Sequence, residues 1–310
     1  MLATQIPLDF IKCTQCHSKR PLSSHQQGGN SSLQCPDCGS VFPKIDNVVG
    51  MISKERDKDT LKKFEHQWAV WGGDKVIFGK TSEEYEDRYL KEFANPIIKK
   101  GWFAGKRTLD AGCGHGMMVE VFNRLGAASV GLELGDGVFR AARRLEGKDI
   151  LLVQGDILDI PFQENSFDYV YSNGVIHHTR DTRLAFKKLA SIVKPGGGLD
   201  IWLYPKKGIL WETTMYTGRL LTTRIPPALL SKLVYLLIPL LYVVPTWSRT
   251  SPRTHTLKQC AQVIYDWLSP KYQTHHTFDE VKKWYEEEGF EGIGEVKTTP
   301  LSMFGTKKSH

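Results

Sequence analysis

Three groups of residues in this 310-residue chain have the types and spacing that chemistry requires. The first is four cysteines, Cys13-x2-Cys16 and Cys35-x2-Cys38. Two such pairs place four thiolates around one ion. Tetrahedral zinc suits that ligand set, and a filled shell makes the metal structural rather than catalytic. Lys12, Lys19 and Arg20 offset the thiolate charge. The second group is Asp110-Ala-Gly-Cys-Gly-His-Gly116, with Gly112, Gly114 and Gly116 at alternate positions. Glycine tolerates unusual dihedrals and lets a ligand sit against the backbone, so this loop can cradle an adenosine or a phosphate. The third is two histidine pairs, His177-His178 and His275-His276. Imidazole exchanges protons near neutral pH, so His177 and His178 are candidate bases, or else shape their loop. Tyr272 and His275 are candidates to line the pocket of a second substrate or to support the segment around it. The adjacent histidines lack an acid–histidine cluster at ligand spacing, so no second metal is expected there.

The elements that must position these residues follow from periodicity. An apolar pair, Thr108 and Leu109, runs into Asp110, and Met117–Arg124 after the loop has helical character: strand, tight loop, helix. Further strands are expected at Ser129–Glu133, Ile150–Asp156, Phe167–Ser172 and Leu199–Tyr204, and helices at Asp136–Leu145 and Asp181–Val193. Such β-α alternation predicts a parallel sheet covered on both faces, with its ligand beyond the carboxyl ends of the strands. The acids at those ends then have work to do. Glu133 can accept both ribose hydroxyls, and Asp156 can accept from an adenine amino group beside the Ile157 backbone donor. Asp110 can anchor the loop or position the rest of the ligand. An acid after a strand is also a common helix cap, but three of them together with the glycines favour a site.

Outside this core, residues 1–52 read as a ribbon domain whose last short strand is Val48–Ile52. Residues 53–80 read as a charged linker and an N-terminal helix in which Phe64, Trp68 and Trp71 either pack or cap a ligand. Residues 81–310 form the main domain. Its first helix, Ser82–Phe93, puts Tyr85, Tyr89 and Phe93 on one face; Tyr85 and Tyr89 are core aromatics or contacts to cofactor or acceptor. A short helix is expected at Pro96–Lys99. Residues 205–277 are an insertion with an apolar stretch at Leu229–Val244, too short to span a bilayer and containing Pro239. It reads as a buried lid helix, as an interfacial helix with Arg219, Arg224 and Lys232 meeting phosphates, or as an oligomer contact. Thr277 and Glu280 form a capping box for a last helix, Phe278–Glu288.

Lys and Arg number 41 against 34 Asp and Glu, a formal charge of +7. That balance permits RNA or an anionic membrane surface as partner and requires neither. Six cysteines, with Cys113 and Cys260 lacking a mate, are no disulfide framework. The N-terminus carries no signal-peptide pattern. A reducing, cytoplasmic setting is expected, with peripheral membrane contact as an option.

Taken together the motifs resemble the class I S-adenosylmethionine-dependent methyltransferases, of the methyltransferase type 11 and ubiquinone/menaquinone kind. The resemblance runs from about Thr81 to Lys307. It rests on Leu109–Gly116, Glu133, Asp156-Ile157, Pro161-Phe162, Phe167–Thr179 and Lys194-Pro-Gly-Gly-Gly198. It implies an α/β, seven-stranded Rossmann-like sheet of order 3-2-1-4-5-7-6 with a helical lid insertion. Its last strands, Phe290–Val296 and Leu301–Lys307, would form an antiparallel hairpin. The implied cofactor is S-adenosyl-L-methionine, held by Asp110, Gly112, Gly114, Gly116, Glu133, Asp156, Ile157 and Asn173. A nicotinamide Rossmann loop would read G-x-G-x-x-G, not the G-x-G-x-G seen here. Ubiquinone-type O-methyltransferases carry a histidine in line with His178. The acid that precedes it there is His177 here, so their carbonyl–metal arrangement does not carry over. The Asn/Asp-Pro-Pro-Tyr loop of amino-group methyltransferases is replaced by Ser172-Asn-Gly174. The ribbon is similar to the small zinc domain that activates certain tRNA and protein methyltransferases, and to ribbons that begin some ribosomal RNA methyltransferases.

The expected function is methyl transfer to an oxygen or carbon of a bulky small molecule, lipid-linked or of secondary metabolism. The alternative is an RNA (tRNA or rRNA) base methyltransferase that grips RNA with the ribbon and with Arg140, Arg143 and Arg144, placed on the exposed side of their helix. Against it, the basic residues are scattered among acids. A noncatalytic cofactor sensor is a third class, disfavoured by the intact loop and acids.

Overall fold

The computed structural model describes residues 6–27, 30–52, 58–71, 81–93, 98–99, 101–239, 256–295 and 301–309. Contacts divide the chain into two compact units. One comprises residues 1–56, 80–205 and 274–310, the other residues 57–79 and 206–273.

The first unit is built on one sheet. Its strands are β1 (Ser23–Gln27), β2 (Asn30–Gln34), β3 (Val41–Ile45), β4 (Val48–Gly50), β5 (Arg107–Ala111), β6 (Ala128–Glu133), β7 (Ile150–Gln154), β8 (Phe167–Asn173), β9 (Val193–Trp202), β10 (Phe290–Glu295) and β11 (Ser302–Lys307). Their order is β1-β2-β3-β4-β7-β6-β5-β8-β9-β11-β10. The pairs from β4 through β7, β6, β5 and β8 to β9 are parallel. The ribbon pairs and the two involving β11 are antiparallel.

Seven strands were expected and eleven are found, because the ribbon continues the main sheet. Val48, Val49 and Gly50 pair in parallel register with Leu152, Val153 and Gln154. The segment before the ribbon is fastened too. Lys12 donates its amide to the Pro161 carbonyl at 3.0 Å, Gln163 donates to Phe10 at 2.8 Å, and the Phe10 ring meets Phe162 and Phe167. The edge of β7 that an isolated sheet would leave open is thereby covered.

Alternation explains the core. Leu109, Ala111, Val130, Leu132, Leu151 and Val153 face one side with Phe186 and Val281. On the other side, Tyr169 and Tyr171 pack with Phe103 and Phe122, and Ile150 and Leu152 with Val138 and Ala141. Strands buried on both faces are what helix-covered parallel sheets need. The covering helices of this unit are α2 (Ser82–Arg88), α3 (Met117–Arg124), α4 (Gly137–Arg144), α5 (Thr182–Ile192) and, late in the chain, Phe278–Glu287.

Several boundaries differ from expectation. Helix α2 starts at Ser82 as expected, behind a Thr81–Glu84 capping box, but gives way at Tyr89–Phe93 to one π-helical turn. β9 begins at Val193 and runs through Pro195-Gly-Gly-Gly198, ahead of the expected start at Leu199. Gly198 is pinned there by Phe304, 2.7 Å from where a Cβ would sit. Pro96 and Ile97, half of an expected short helix, lie outside the described residues, as do Leu240–Val244 of the apolar stretch.

The second unit is helical: α1 (Lys58–Trp71), α6 (Ile209–Thr222), α7 (Pro227–Leu237) and α8 (Leu257–Leu268). The helix Phe278–Glu287 of the first unit is then α9. Trp71, Leu230, Val234, Ile238, Cys260, Ile264 and Tyr265 form the second unit's core. The Lys63 ammonium donates to the Thr223 carbonyl at 2.8 Å, and the Tyr265 hydroxyl donates to the Lys63 carbonyl at 3.3 Å. Trp71 is thus a core residue of this unit, at 4.9 Å between ring centres from Tyr265.

Candidate functional site

The strand order reverses about β5, with β6 on one side and β8 on the other. A crevice opens outside the carboxyl ends of strands at such a switch point. The sequence places chemistry at those ends. Asp110 is the penultimate residue of β5, Glu133 ends β6, Asp156 follows β7, and Asn173 ends β8.

The loop after β5 is made by its glycines. Gly112, Gly114 and Gly116 have φ of 85°, 54° and 80°, a region L side chains rarely adopt. Gly112 is also sterically necessary, since a Cβ there would lie 2.4 Å from the Val175 side chain. Glu133 holds the loop: its Oε2 accepts from the Gly114 amide at 2.9 Å and its Oε1 from the Gly135 amide at 2.9 Å. Arg144 holds it from the other side, donating to the His115 carbonyl at 3.0 Å and pairing with Glu120 at 2.5 Å. Its side chain is only 10% exposed, so the expectation of Arg144 on a free helix face is corrected: this arginine braces the loop. Arg143 is exposed and Arg140 half-buried. Sequence alone had no signal for Arg144, since helical spacing cannot say which carbonyl lies within reach.

Burial sets the electrostatics. Asp110 is pushed up to about 8 by burial and then by the nearby Glu133 carboxylate. Asp156 is also raised by burial, although its Oδ1 accepts from the Leu158 amide at 2.8 Å. That bond caps a short 3-10 turn, Ile157–Asp159, and orients the carboxyl beside the buried Ile157. Ser172, at the end of β8, ties the strands together by donating to the Ala111 carbonyl at 2.9 Å. Asn173 itself is exposed. Ser172 and Gly135 were not singled out from sequence; a hydroxyl and an amide carry no motif of their own.

The loop after β8 closes into a 3-10 turn, Ile176–His178. It brings His177 and His178 against Tyr204 and the 274–276 segment. The His177 ring stacks on Tyr204 at 4.0 Å and lies 4.3 Å from the His178 ring. Tyr204 in turn meets His275 at 5.8 Å. The His177 carbonyl accepts from the Thr274 amide at 2.9 Å, and Thr274 is bonded to Thr182 and His276. His177 is fully buried, and burial together with its three histidine neighbours depresses its pKa well below the usual range. His178 is 5% exposed. Both pairs of histidines are thus gathered in one cluster.

Tyr89 sits elsewhere, fully enclosed, with its hydroxyl 2.7 Å from that of Tyr169, which donates to Asp200 Oδ2 at 3.0 Å. Tyr85 is half-buried beside this cluster of aromatics. Tyr272 is half-buried and belongs to the helical unit.

The four ribbon cysteines converge. Cys13 and Cys38 sulfurs are 3.6 Å apart, Cys16 and Cys35 likewise, and all four lie within 4.8 Å of one another. A tetrahedral ion with bonds of about 2.3 Å to sulfur separates its ligands by about 3.8 Å, so the cluster could hold one. The knuckles are shaped by left-handed residues after each pair, His17 at φ 56° and Gly39 at 72°.

A family model described as a methyltransferase domain matches residues 109–200, from the middle of β5 to the middle of β9. Over 117 residues the chain is 30% identical to a demethylmenaquinone methyltransferase of Corynebacterium kroppenstedtii, covering 38% of this chain and 50% of that one. Over 147 residues it is 30% identical to a ubiquinone biosynthesis O-methyltransferase of Vibrio parahaemolyticus, covering 46% and 60%. The chain therefore spans about half the length of the curated relatives it matches. Among solved structures, magnesium protoporphyrin IX methyltransferase from Synechocystis is 15% identical with a TM-score of 0.48, covering 82% of this chain and 98% of that one. Residues 109–200 thus match a methyltransferase domain.

Proposed function

From that domain as premise, we propose that the chain transfers a methyl group from S-adenosylmethionine to an oxygen or carbon of a bulky, apolar small molecule. The observation that carries this reading is the convergence of the left-handed glycine loop, Glu133 and Asp156 at the strand ends flanking the switch point.

S-adenosylmethionine supplies a methyl group on a sulfonium, which leaves as a neutral thioether. Each protein group has a separate task. Glu133 accepts the ribose hydroxyls on lone pairs beyond those used by Gly114 and Gly135. Asp156 accepts from the adenine amino group, and Ile157 walls the ring. Asp110, held largely protonated by burial near neutral pH, braces the loop beneath the amino-acid part. Asn173 borders the same end of the sheet. A hydroxyl acceptor must lose its proton as the bond to carbon forms. His178 takes it on a ring nitrogen in this reading, and the neutral His177, whose ring centre lies 4.3 Å away, keeps a second positive charge out. His275 and Tyr85 are the residues proposed to meet the acceptor. Tyr89 is better placed as support, because its hydroxyl is committed to Tyr169.

The four cysteines are proposed to bind one structural zinc, stiffening the ribbon where it joins β7. The two relatives named for demethylmenaquinone and ubiquinone biosynthesis support an apolar ring acceptor. The RNA alternative draws less support. In the ribbon, Lys19 lies 3.6 Å from Glu164 and Arg20 pairs with Asp37 at 2.7 Å, so both face acids.

The test is mass spectrometry of cell extract incubated with isotopically labelled S-adenosylmethionine and either the wild-type protein or His178→Ala. Label in an extractable small molecule, lost with the variant, supports the proposal. Label in tRNA or rRNA overturns it.

A further inference from the structure

Helix α7 is apolar apart from Ser231, Lys232 and the Tyr235 hydroxyl. Leu230, Val234 and Ile238 are buried in the core of the helical unit. On the opposite face Leu229, Leu233 and Leu236 recur at helical spacing and are exposed, Leu236 by 74%. Helix α6 repeats the pattern: Ile209, Leu210, Tyr216, Leu220 and Leu221 are all exposed, Ile209 by 84%. No helix in this unit covers these side chains among the described residues. Single exposed leucines are ordinary, but two successive helices with apolar outer stripes are not.

Apart from the half-buried Glu212 in the first turn of α6, the charge along these helices is positive. Between Glu212 and Asp266 the sequence contains no Asp or Glu, in a chain with 34 of them. The same interval carries Arg224, Lys232 and Lys258, each exposed and none in an ion pair among the described residues. Lys232 lies one residue from Leu233, and Arg224 follows the end of α6. Neither helix is long and apolar enough to cross a membrane.

We propose that the outer faces of α6 and α7 dock the protein on an anionic lipid surface. Leu210, Leu221, Leu229 and Leu236 enter the boundary between headgroups and acyl chains, and Arg224 and Lys232 meet lipid phosphates. An apolar face flanked by long cations and poor in acids is what an interfacial helix requires. A second copy of the chain would leave the positive charge facing itself. RNA would take up the cations and leave the leucines in water. This surface stands on exposure and charge alone and does not depend on the methyl-transfer reading.

The test is flotation of the full chain with vesicles of phosphatidylcholine, alone or mixed in equal parts with phosphatidylglycerol. The wild-type protein should float with the mixed vesicles, bind them at least tenfold more weakly in high salt, and ignore phosphatidylcholine alone. Leu221→Glu/Leu236→Glu should lower binding at least tenfold. Leu221→Gln/Leu236→Gln should lower it too, with circular dichroism and melting temperature unchanged because these side chains are solvent-exposed. Arg224→Glu/Lys232→Glu should abolish the preference for anionic lipid. The proposal fails if the wild-type chain does not float, if the leucine variants float equally well, if light scattering shows a dimer that Leu221→Glu dissociates, or if salt-sensitive RNA binding replaces vesicle binding.

Discussion

Glu133 Oε2 accepts a hydrogen bond from the Gly114 amide at 2.9 Å, so the acid at the end of β6 holds the glycine loop proposed to cradle the cofactor. Bonds to a charged acceptor contribute about 1.5–3 kcal/mol each. Glu133→Ala should therefore weaken S-adenosylhomocysteine binding by at least about 100-fold in calorimetric titration. Glu133→Gln, which keeps one acceptor oxygen, should lose less. Affinity within threefold of wild type in the alanine variant would remove this residue from the cofactor site.

Gly112 tests the loop itself. At φ 85° with Val175 2.4 Å from a virtual Cβ, alanine is both strained and clashing. Gly112→Ala should destabilise the protein by about 2–4 kcal/mol in denaturant titration. Val175→Ala in the same chain should recover part of it by relieving the clash and leaving the strain. Recovery of all or none would show that only one of the two terms operates.

The buried Asp200 makes stability depend on pH. Burial lifts its carboxyl to about 8, only partly countered by the Tyr169 hydroxyl. The unfolded value is about 3.9. The folded state thus holds the proton more tightly, and its contribution is complete below about pH 4 and lost as pH rises toward 8. Asp110, also near 8, acts in the same direction. Asp200→Asn keeps an acceptor for Tyr169 and cannot ionise. Relative to wild type it should gain at least about 1 kcal/mol in stability between pH 5 and pH 8.5. Parallel pH profiles for the two proteins would refute a proton-sharing Asp200.

His177 acts with the opposite sense. Its pKa is depressed by burial and by the neighbouring imidazoles, so its contribution is present above the ordinary value of about 6.5 and lost as pH falls below it. His177→Phe, which can keep the stack on Tyr204, should lower the acid-unfolding midpoint. An unchanged midpoint would mean that protonation elsewhere opens the protein first.

The cysteine cluster should bind one zinc per chain by native mass spectrometry, and Cys35→Ser should abolish it. Because β4 pairs with β7, metal loss should raise amide exchange in Ile150–Gln154 as well as in the ribbon. Exchange confined to the ribbon would show that the β4–β7 pairing does not need the metal.

Local pattern revealed much of this. The strand–loop–helix at Arg107–Arg124, the order of strands and helices from there to β9, and the Thr277–Glu280 cap are short-range features, so periodicity and residue type reported them. Expected helix ends are mostly within a residue or two of those found, as at Asp181, which caps α5 by accepting from the Leu184 amide at 2.8 Å. The approach of Val48–Gly50 to β7 was not legible, since the paired residues, Val48 with Leu152 onward, are 104 positions apart and an edge strand carries no address. Nor was the joining of α1 to α6, α7 and α8, because an amphipathic helix shows that it has a buried face without showing what covers it.

Sequence by itself determined the chemistry at the strand ends: the glycines, the acids, the paired histidines and the four thiols are properties of residue type and spacing. Tertiary structure decided which of them have access. Tyr89 looks as reactive on paper as Tyr85, yet bonding to Tyr169 encloses it, and His177 and His178 are both buried against Tyr204. Arg144 reads as a surface charge and turns inward to the His115 carbonyl, while Leu229, Leu233 and Leu236, in a stretch that one reading makes a buried helix, face outward. Burial depends on which distant segment packs against a face, and that is fixed only when the whole chain has folded.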